Sequence, residues 1–351
     1  MGFYVLHIIG FIYSEDKQSA AFDLEIKLSI FFIPLGFLIS KIDFKNQYNK
    51  AFKWFIYGLL LSTLINVFNS VYHYVLSSDV NDLFYVNASF FHHTSYYGLY
   101  LIFGILLLYF RSFKPNHHFN IKPVWIILLN IWFTGFIFLL TSKMALITVF
   151  LIHICTLVYL AFKYNKKTMA LIFIFLLTTA PIIAYFTSYT FKVRVDEIYE
   201  VLMNDTYNLE STSMTRIQVW KSSVEIIKNT PVYGLGIGDV LPALKNAYQQ
   251  HGYQHALDLN LNPHNQYLQT TLALGLIGGL YLLLMLGYFF RLGLKHKNLL
   301  FSFFILVVFM NMLTESMLET QSGVVFISFF IAFFLSFINK NEESLVTLQK
   351  K

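Results

Sequence analysis

The stretch NQYLQTTLALGLIGGLYLLLMLGYFF, residues 265–290, contains no Asp, Glu, Lys or Arg. About 20 mostly apolar residues are enough to cross the hydrocarbon of a bilayer, so this run reads as a membrane helix. It is not alone. Upstream, apolar segments occupy Gly2–Tyr13, Leu24–Ser40, Ala51–Asn69, Thr94–Phe110, Pro123–Leu140, Met144–Phe162 and Thr168–Tyr189; downstream come Leu299–Leu313 and Gly323–Ile338. With Asn265–Phe290 they predict an all-α, polytopic transmembrane bundle of about ten spans. Gly2–Tyr13 is short for a span, so it is a partial one or further spans lie upstream.

The composition agrees. Of the 351 residues, 56% are hydrophobic and 13% charged, about half the charge of a soluble domain; mean hydropathy is +0.58. The formal charge of +6 does not mark a nucleic-acid binder, because the cations gather in short loops between spans. Basic connections hold Lys41, Lys45, Lys50 and Lys53; Arg111, Lys114 and Lys122; Lys163, Lys166 and Lys167; Arg291, Lys295 and Lys297; and the tail with Lys340, Lys350 and Lys351. They alternate with connections poor in Lys and Arg, such as Ser70–His93 and Thr314–Ser322. The positive-inside rule then places both termini in the cytoplasm and the long segment Phe191–Pro263 outside. The chain divides accordingly into N-terminal spans (1–190), an extracytoplasmic loop with amphipathic helices (191–263), and C-terminal spans with a short tail (264–351). No cleavable signal peptide and no internal repeat are evident. The single Cys155 reads as a small buried hydrophobe.

The outer segment is far longer than an ordinary connection, which marks it as functional or disordered. Its content is that of a structured loop. Ile217, Trp220, Val224 and Ile227 share one helical face, Ser213 or Thr215 can cap the start, and Asn229-Thr230-Pro231 ends the helix. The run Pro231-Val-Tyr-Gly234-Leu-Gly236-Ile-Gly238-Asp239 has no preceding strand and so reads as a tight turn rather than a nucleotide loop, with Asp239 capping a helix that ends near Gly252. His251, His255 and His264 would make a metal site only if one helix carried the first two, and Gly252 interrupts it; no metal centre is expected. In Asn262-Pro263-His264, Asn262 is an N-cap and Pro263 the first helical residue. That puts His264 in the first turn of a membrane helix, where a neutral imidazole beside an anion can serve as a general base or simply sit at the interface. Gly275 and Gly279 form a small-xxx-small pair for close helix packing. Other outward polar groups are His92-His93, Thr141-Ser142-Lys143, and Glu315 with Glu319, as substrate contacts or as interfacial residues.

Thr215-Arg216-Ile-Gln-Val-Trp220, the glycine turn through Gly238, and Pro263-His264-Asn265-Gln-Tyr267-Leu268 together resemble the O-antigen ligase and polymerase family of bacterial surface polysaccharide assembly. Thr141-Ser142-Lys143 is similar to that family's Ser-Arg element, and the resemblance runs from about Phe90 to Ile338. It implies a multi-pass enzyme of the bacterial cytoplasmic (inner) membrane, with the large loop periplasmic. The enzyme would transfer a glycan from a polyprenyl-diphosphate-linked donor to a hydroxyl of an acceptor, either lipid A core or another lipid-linked glycan, with no cofactor, metal or nucleotide sugar. His264 would take the hydroxyl proton, and Arg216 and Lys143 would bind the diphosphate. Asn265, Tyr267, His92, His93 and Glu315 complete the candidate substrate-binding set. Two departures stand out: the family usually has arginine at the position of Lys143, whose ammonium lacks the bidentate fork, and relatives often have about twelve spans. The alternative from a different class is a transporter or flippase of lipid-linked glycans, which usually shows internal repeats.

Overall fold

The structure, a computed structural model, describes residues 1–40, 44–112, 122–164, 212–230 and 232–349, with isolated positions between 182 and 196. The expected span Thr168–Tyr189 and the start of the outer segment lie largely outside the described residues. Among those described, all regular structure is helical: α1 (Gly2–Tyr13), α2 (Lys17–Lys27), α3 (Ser29–Ile39), α4 (Phe44–Ser77), α5 (Thr94–Ser112), α6 (Pro123–Leu140), α7 (Lys143–Tyr164), α8 (Thr212–Asn229), α9 (Val240–His251), α10 (Gln254–Asp258), α11 (Gln266–Lys295), α12 (Leu299–Met312) and α13 (Gln321–Gln349). A 3₁₀ turn covers Val80–Leu83.

Among the described residues, four helices are long and apolar enough to cross a membrane: Gln47–Ser77, Pro123–Leu140, Gln266–Lys295 and Gln321–Ile338. Four shorter apolar helices are Gly2–Tyr13, Thr94–Phe110, Lys143–Tyr159 and Leu299–Met312. On α11 the residues Leu276, Leu280, Leu284 and Tyr288 are all exposed. An i, i+4 apolar stripe left bare in this way suits hydrocarbon as its surroundings. Cys155, read as buried, is exposed on α7 beside the equally exposed Leu151, Val158 and Tyr159. The expected span Leu24–Ser40 is divided at Leu28 between α2 and α3. The 11 residues of α3 reach about 16 Å, short of the roughly 30 Å of hydrocarbon.

By contacts the chain forms two compact units, Met1–Gln47 with Tyr207–Lys351, and Tyr48–Thr206. In the second, α5 packs on α6 and α7, Trp132 Nε1 donates to Thr63 Oγ1 at 2.8 Å, and His153 sits between Tyr109 and Thr134. A left-handed Thr141 (φ 48°) ends α6, and α7 starts two residues later.

In the first unit, α11 packs on α1 and α12, α13 on α3, and α8 on α9 and α11. Helices α8 and α9 share a core with the start of α11: Val219, Val240, Leu244, Tyr248, Leu272 and Ala273. The face that α8 buries differs from the expected one. Thr215, Gln218, Val219, Ser222 and Ser223 are buried, whereas Val224 is 41% exposed. A stripe of small and polar residues lets helices approach closely, which an apolar-periodicity reading does not weigh.

The glycine turn docks onto a break in α11. Gly275 has φ 66° and ψ −168° inside the helix, which frees the preceding carbonyls from their i+4 partners. Leu235 N–H donates to the Leu272 carbonyl at 2.9 Å and Gly236 N–H to that of Ala273 at 3.0 Å. The loop thus satisfies backbone groups that a membrane helix cannot leave bare. Gly234 (φ 89°) and Gly236 (φ 112°) supply the conformations. Gly275 therefore serves a loop-to-helix contact, not the helix seam expected from Gly275 and Gly279.

Asp239 occupies the N-cap position of α9, but its carboxylate makes no bond to that helix. It accepts instead from Glu15 N–H and Asp16 N–H, both at 2.8 Å, at the entry to α2. α9 ends as expected, at a left-handed Gly252. We expect Asp239→Ala to destabilise the protein by about 1–2 kcal/mol through those two lost bonds. Thermal unfolding of the purified chain would show it as a lowered Tm, and an unchanged Tm would mean that the two bonds to Glu15 and Asp16 do not stabilise the fold.

Candidate functional site

α11 begins at Gln266, not at Pro263. Its N-cap is Asn265, whose Oδ1 accepts from Tyr267 N–H at 2.9 Å and Leu268 N–H at 3.1 Å. His264 thus stands two residues before the helix, in left-handed conformation (φ 44°), rather than in its first turn. Asn262 Oδ1 accepts from His264 N–H at 2.8 Å, and Trp220 Nε1 of α8 donates to the Pro263 carbonyl at 2.8 Å. A side chain on either flank therefore fixes the backbone that carries the imidazole. Its Nδ1 lies 2.9 Å from Glu315 Oε1. The Glu315 side chain is 5% exposed and that of His264 25%, so the pair has a buried acidic end and an open imidazole end.

The same loop is held to the start of α11 by further bonds. Asn265 Nδ2 donates to the Leu313 carbonyl at 3.0 Å, and Tyr267 Oη to that of Phe309 at 3.0 Å. Gln266 is fully buried; its Oε1 accepts from Leu318 N–H at 2.6 Å, and its Nε2 donates to Glu319 Oε1 at 3.0 Å. Glu319 Oε2 meets Lys27 Nζ at 2.9 Å, and Lys27 also bonds Asp23. Lys27 is 1% exposed, so one buried ammonium lies between two carboxylates. Burial pushes the Asp23 carboxyl up to about 7 against the pull of Lys27. Burial acts on Glu319 in the same sense, but Lys27 and the Gln266 amide hold it below the ordinary carboxylate range.

Of the expected site residues, the structure brings His264, Asn265, Tyr267 and Glu315 together. Asn265 and Tyr267 spend polar groups on caps and carbonyls. Arg216 lies in the same unit, half-buried on α8. Lys143, His92 and His93 belong to the other unit. Lys143 is the first residue of α7, where an ammonium and the helix N-terminus both favour an anion. Burial lowers the His92 imidazole below its ordinary value, and the ring packs edge-on against Tyr100. His93 Nδ1 faces Ser95 N–H at 3.4 Å. His251 pairs with Glu225 at 2.7 Å and stacks on Tyr253; among the described residues no His, Cys, Asp or Glu group could hold a metal ion.

The sequence reading missed Trp220 as a tether, Gln266 and Asn262 as clamps, and the bond from Glu315 to His264. The partners lie 43 to 54 residues apart, and no local spacing announces such pairs. A carboxylate in an outward loop without Lys or Arg was the one available signal for Glu315.

Compared with known families, residues 128–283 match the model described as O-antigen ligase. The match includes Lys143, Arg216, His264, Asn265 and Tyr267 and ends before Glu315. It bears out the resemblance carried by Arg216, the glycine turn and His264. No curated protein matches the chain.

Proposed function

From the match of residues 128–283 to the O-antigen ligase family model, we propose that this chain is a glycosyl-transferring enzyme of surface polysaccharide assembly, a ligase or polymerase. It works at the periplasmic face of the bacterial cytoplasmic membrane, with both termini cytoplasmic. The donor is a polyprenyl-diphosphate-linked glycan, and the acceptor is a hydroxyl of lipid A core or of another lipid-linked glycan. The observation that carries this reading is the hydrogen bond from His264 Nδ1 to the buried Glu315.

With Glu315 accepting the Nδ1 proton, the tautomer is set and Nε2 keeps a lone pair facing the open end. A sugar hydroxyl is a poor nucleophile at neutral pH, and a positioned base helps by removing its proton as it attacks. The acceptor oxygen bonds to the anomeric carbon, the bond from that carbon to the diphosphate oxygen breaks, and the proton moves to Nε2. Glu315 stabilises the imidazolium that forms, which later gives its proton to solvent. Arg216 and Lys143, in the roles carried over from the resemblance, meet the charge that develops on the leaving diphosphate. His92 and His93 are proposed substrate contacts, whereas Asn265 and Tyr267 act by holding the loop that presents His264 and Glu315. A single displacement inverts the anomeric centre. The bonds of Asp239 to Glu15 and Asp16, and of His264 to Glu315, each join two segments that this topology puts outside, which supports it.

The test is a reconstituted reaction: full-length protein in liposomes with a lipid-linked repeat unit and an acceptor glycan. Release of polyprenyl diphosphate together with an inverted glycosidic linkage by NMR is the expected result. A retained anomer refutes the single displacement, and intact donor moved across the bilayer refutes the enzyme reading in favour of transport. In the same assay we expect Glu315→Gln to lower kcat by up to about 10⁴-fold with KM for the donor unchanged, as for other residues that orient a catalytic imidazole. A raised KM with kcat unchanged would instead place Glu315 on the substrate.

A further inference from the structure

Glu315 meets His264 because the segment Leu313–Glu319 lies against the start of α11. Asn265 grips one end of that segment at the Leu313 carbonyl. Gln266, the second residue after His264, grips the other end with both atoms of its amide: Oε1 takes Leu318 N–H and Nε2 gives to Glu319 Oε1. The segment closes on itself between the grips, with Met317 N–H donating to the Glu315 carbonyl at 3.0 Å. The amide of Gln266 keeps this orientation only while Glu319 Oε1 faces it, and a lone carboxylate on a flexible side chain has no fixed direction. Lys27 supplies the direction. It ends α2 and is 1% exposed. Its ammonium bonds Asp23, one turn earlier on the same helix, and Glu319 Oε2 at 2.9 Å. Asp23 thus aims the ammonium, which takes one Glu319 oxygen and leaves the other to Gln266. As a source of stability the arrangement is poor, because apolar side chains of similar volume often do as well as a buried ion pair or better. What the charges add is a set orientation of the carboxylate.

We propose that Lys27 is a positioning residue for the transfer reaction, acting through Glu319 and Gln266 to hold Glu315 against the His264 imidazole. Its part in catalysis rests on the transfer reading above, whereas the clamp rests on the hydrogen bonds alone. Lys27 works from inside the fold, so its loss is felt in the alignment of the pair and not in the binding of the donor.

Two readouts on the full-length protein in nanodiscs test this. One is nitrogen NMR of protein labelled at histidine, in which the His264 Nδ1 signal is identified by its loss in His264→Ala. The other is the kinetics of transfer from a lipid-linked repeat unit to an acceptor glycan. Lys27→Met is expected to move the Nδ1 signal toward that of Glu315→Gln. It should lower kcat by about 10²-fold, the scale of a small misplacement of a catalytic group, with KM for the donor unchanged. Added to Glu315→Gln it should cost nothing further, because both changes break the same contact; a general loss of structure would multiply instead. Lys27→Met/Glu319→Gln removes both partners of the ion pair and spares the fold an unpaired buried charge. It keeps the test valid if Lys27→Met fails to fold, and the same signal shift and the same loss are expected of it. A wild-type Nδ1 signal in the folded variants, a wild-type kcat in them, or a loss that multiplies with Glu315→Gln overturns the proposal. Failure of the transfer reading has a different signature: an Nδ1 signal that depends on Lys27 in a protein that forms no glycosidic bond.

Discussion

Replacing His264 by alanine is expected to lower the rate of glycan transfer by about 10²–10⁴-fold, the usual contribution of a positioned general base. The imidazole is a quarter exposed and its Nδ1 bonds Glu315, so little packing is lost with it. The variant should therefore insert into the membrane normally. Truncation does leave Glu315, only 4% exposed, without that donor, at a cost of about 1–3 kcal/mol. His264→Asn separates the two effects. Its amide can donate to Glu315 in place of Nδ1 but cannot take a proton from a sugar hydroxyl. Inactivity of both variants, with the wild-type Tm restored in His264→Asn, is the expected pattern. Wild-type transfer by either variant removes the base assignment.

The largest structural effect is expected at Gly275. Its φ of 66° with ψ of −168° falls in a region that essentially only glycine adopts, and a side chain held there costs about 1–3 kcal/mol in backbone strain alone. A Cβ at this position would also stand 1.9 Å from the Val232 carbonyl oxygen and 2.5 Å from Gly234 N. Both are backbone atoms of the docked turn and cannot rotate away. Gly275→Val should therefore expel the turn from the break in α11, exposing the Leu272 and Ala273 carbonyls, with a total loss of about 3 kcal/mol or more. Gly287→Ala, twelve residues along the same helix with nothing within 4 Å of its would-be Cβ, is the control. It should leave Tm unchanged or slightly raised, since alanine favours helix over glycine. Melting curves of the two purified variants decide this, and equal Tm values would mean that the turn does not depend on the break.

Helix limits written in local chemistry were legible from sequence. Gly2–Tyr13 and Pro123–Leu140 come out as read, because apolar run and punctuation coincide. The end of α9 at Gly252 follows from the glycine alone. Local rules failed where two partners competed for one group. Asn262 and Asn265 are both good caps, and the choice of Asn265 depends on a helix that starts after the left-handed His264, which Asn262 and Trp220 hold from the flanks. Asp239 looks like a cap for the helix that follows it, yet its carboxylate serves a backbone more than 220 residues away in sequence. The candidate site divides in the same way. Motif spacing pointed to His264, whereas the role of Glu315 emerges only when the loop before α13 folds back onto the start of α11.

Transfer by His264 is decided by the surface polysaccharide of a strain deleted for this protein, resolved as a lipopolysaccharide ladder on a gel, with the wild type or His264→Ala supplied in trans. A ladder restored by the wild type and not by His264→Ala is the expected result. Loss of every repeat from the core with lipid-linked polymer accumulating identifies a ligase, and a core bearing one repeat without a ladder identifies a polymerase. A ladder unchanged by the deletion, or restored equally by His264→Ala, would contradict it.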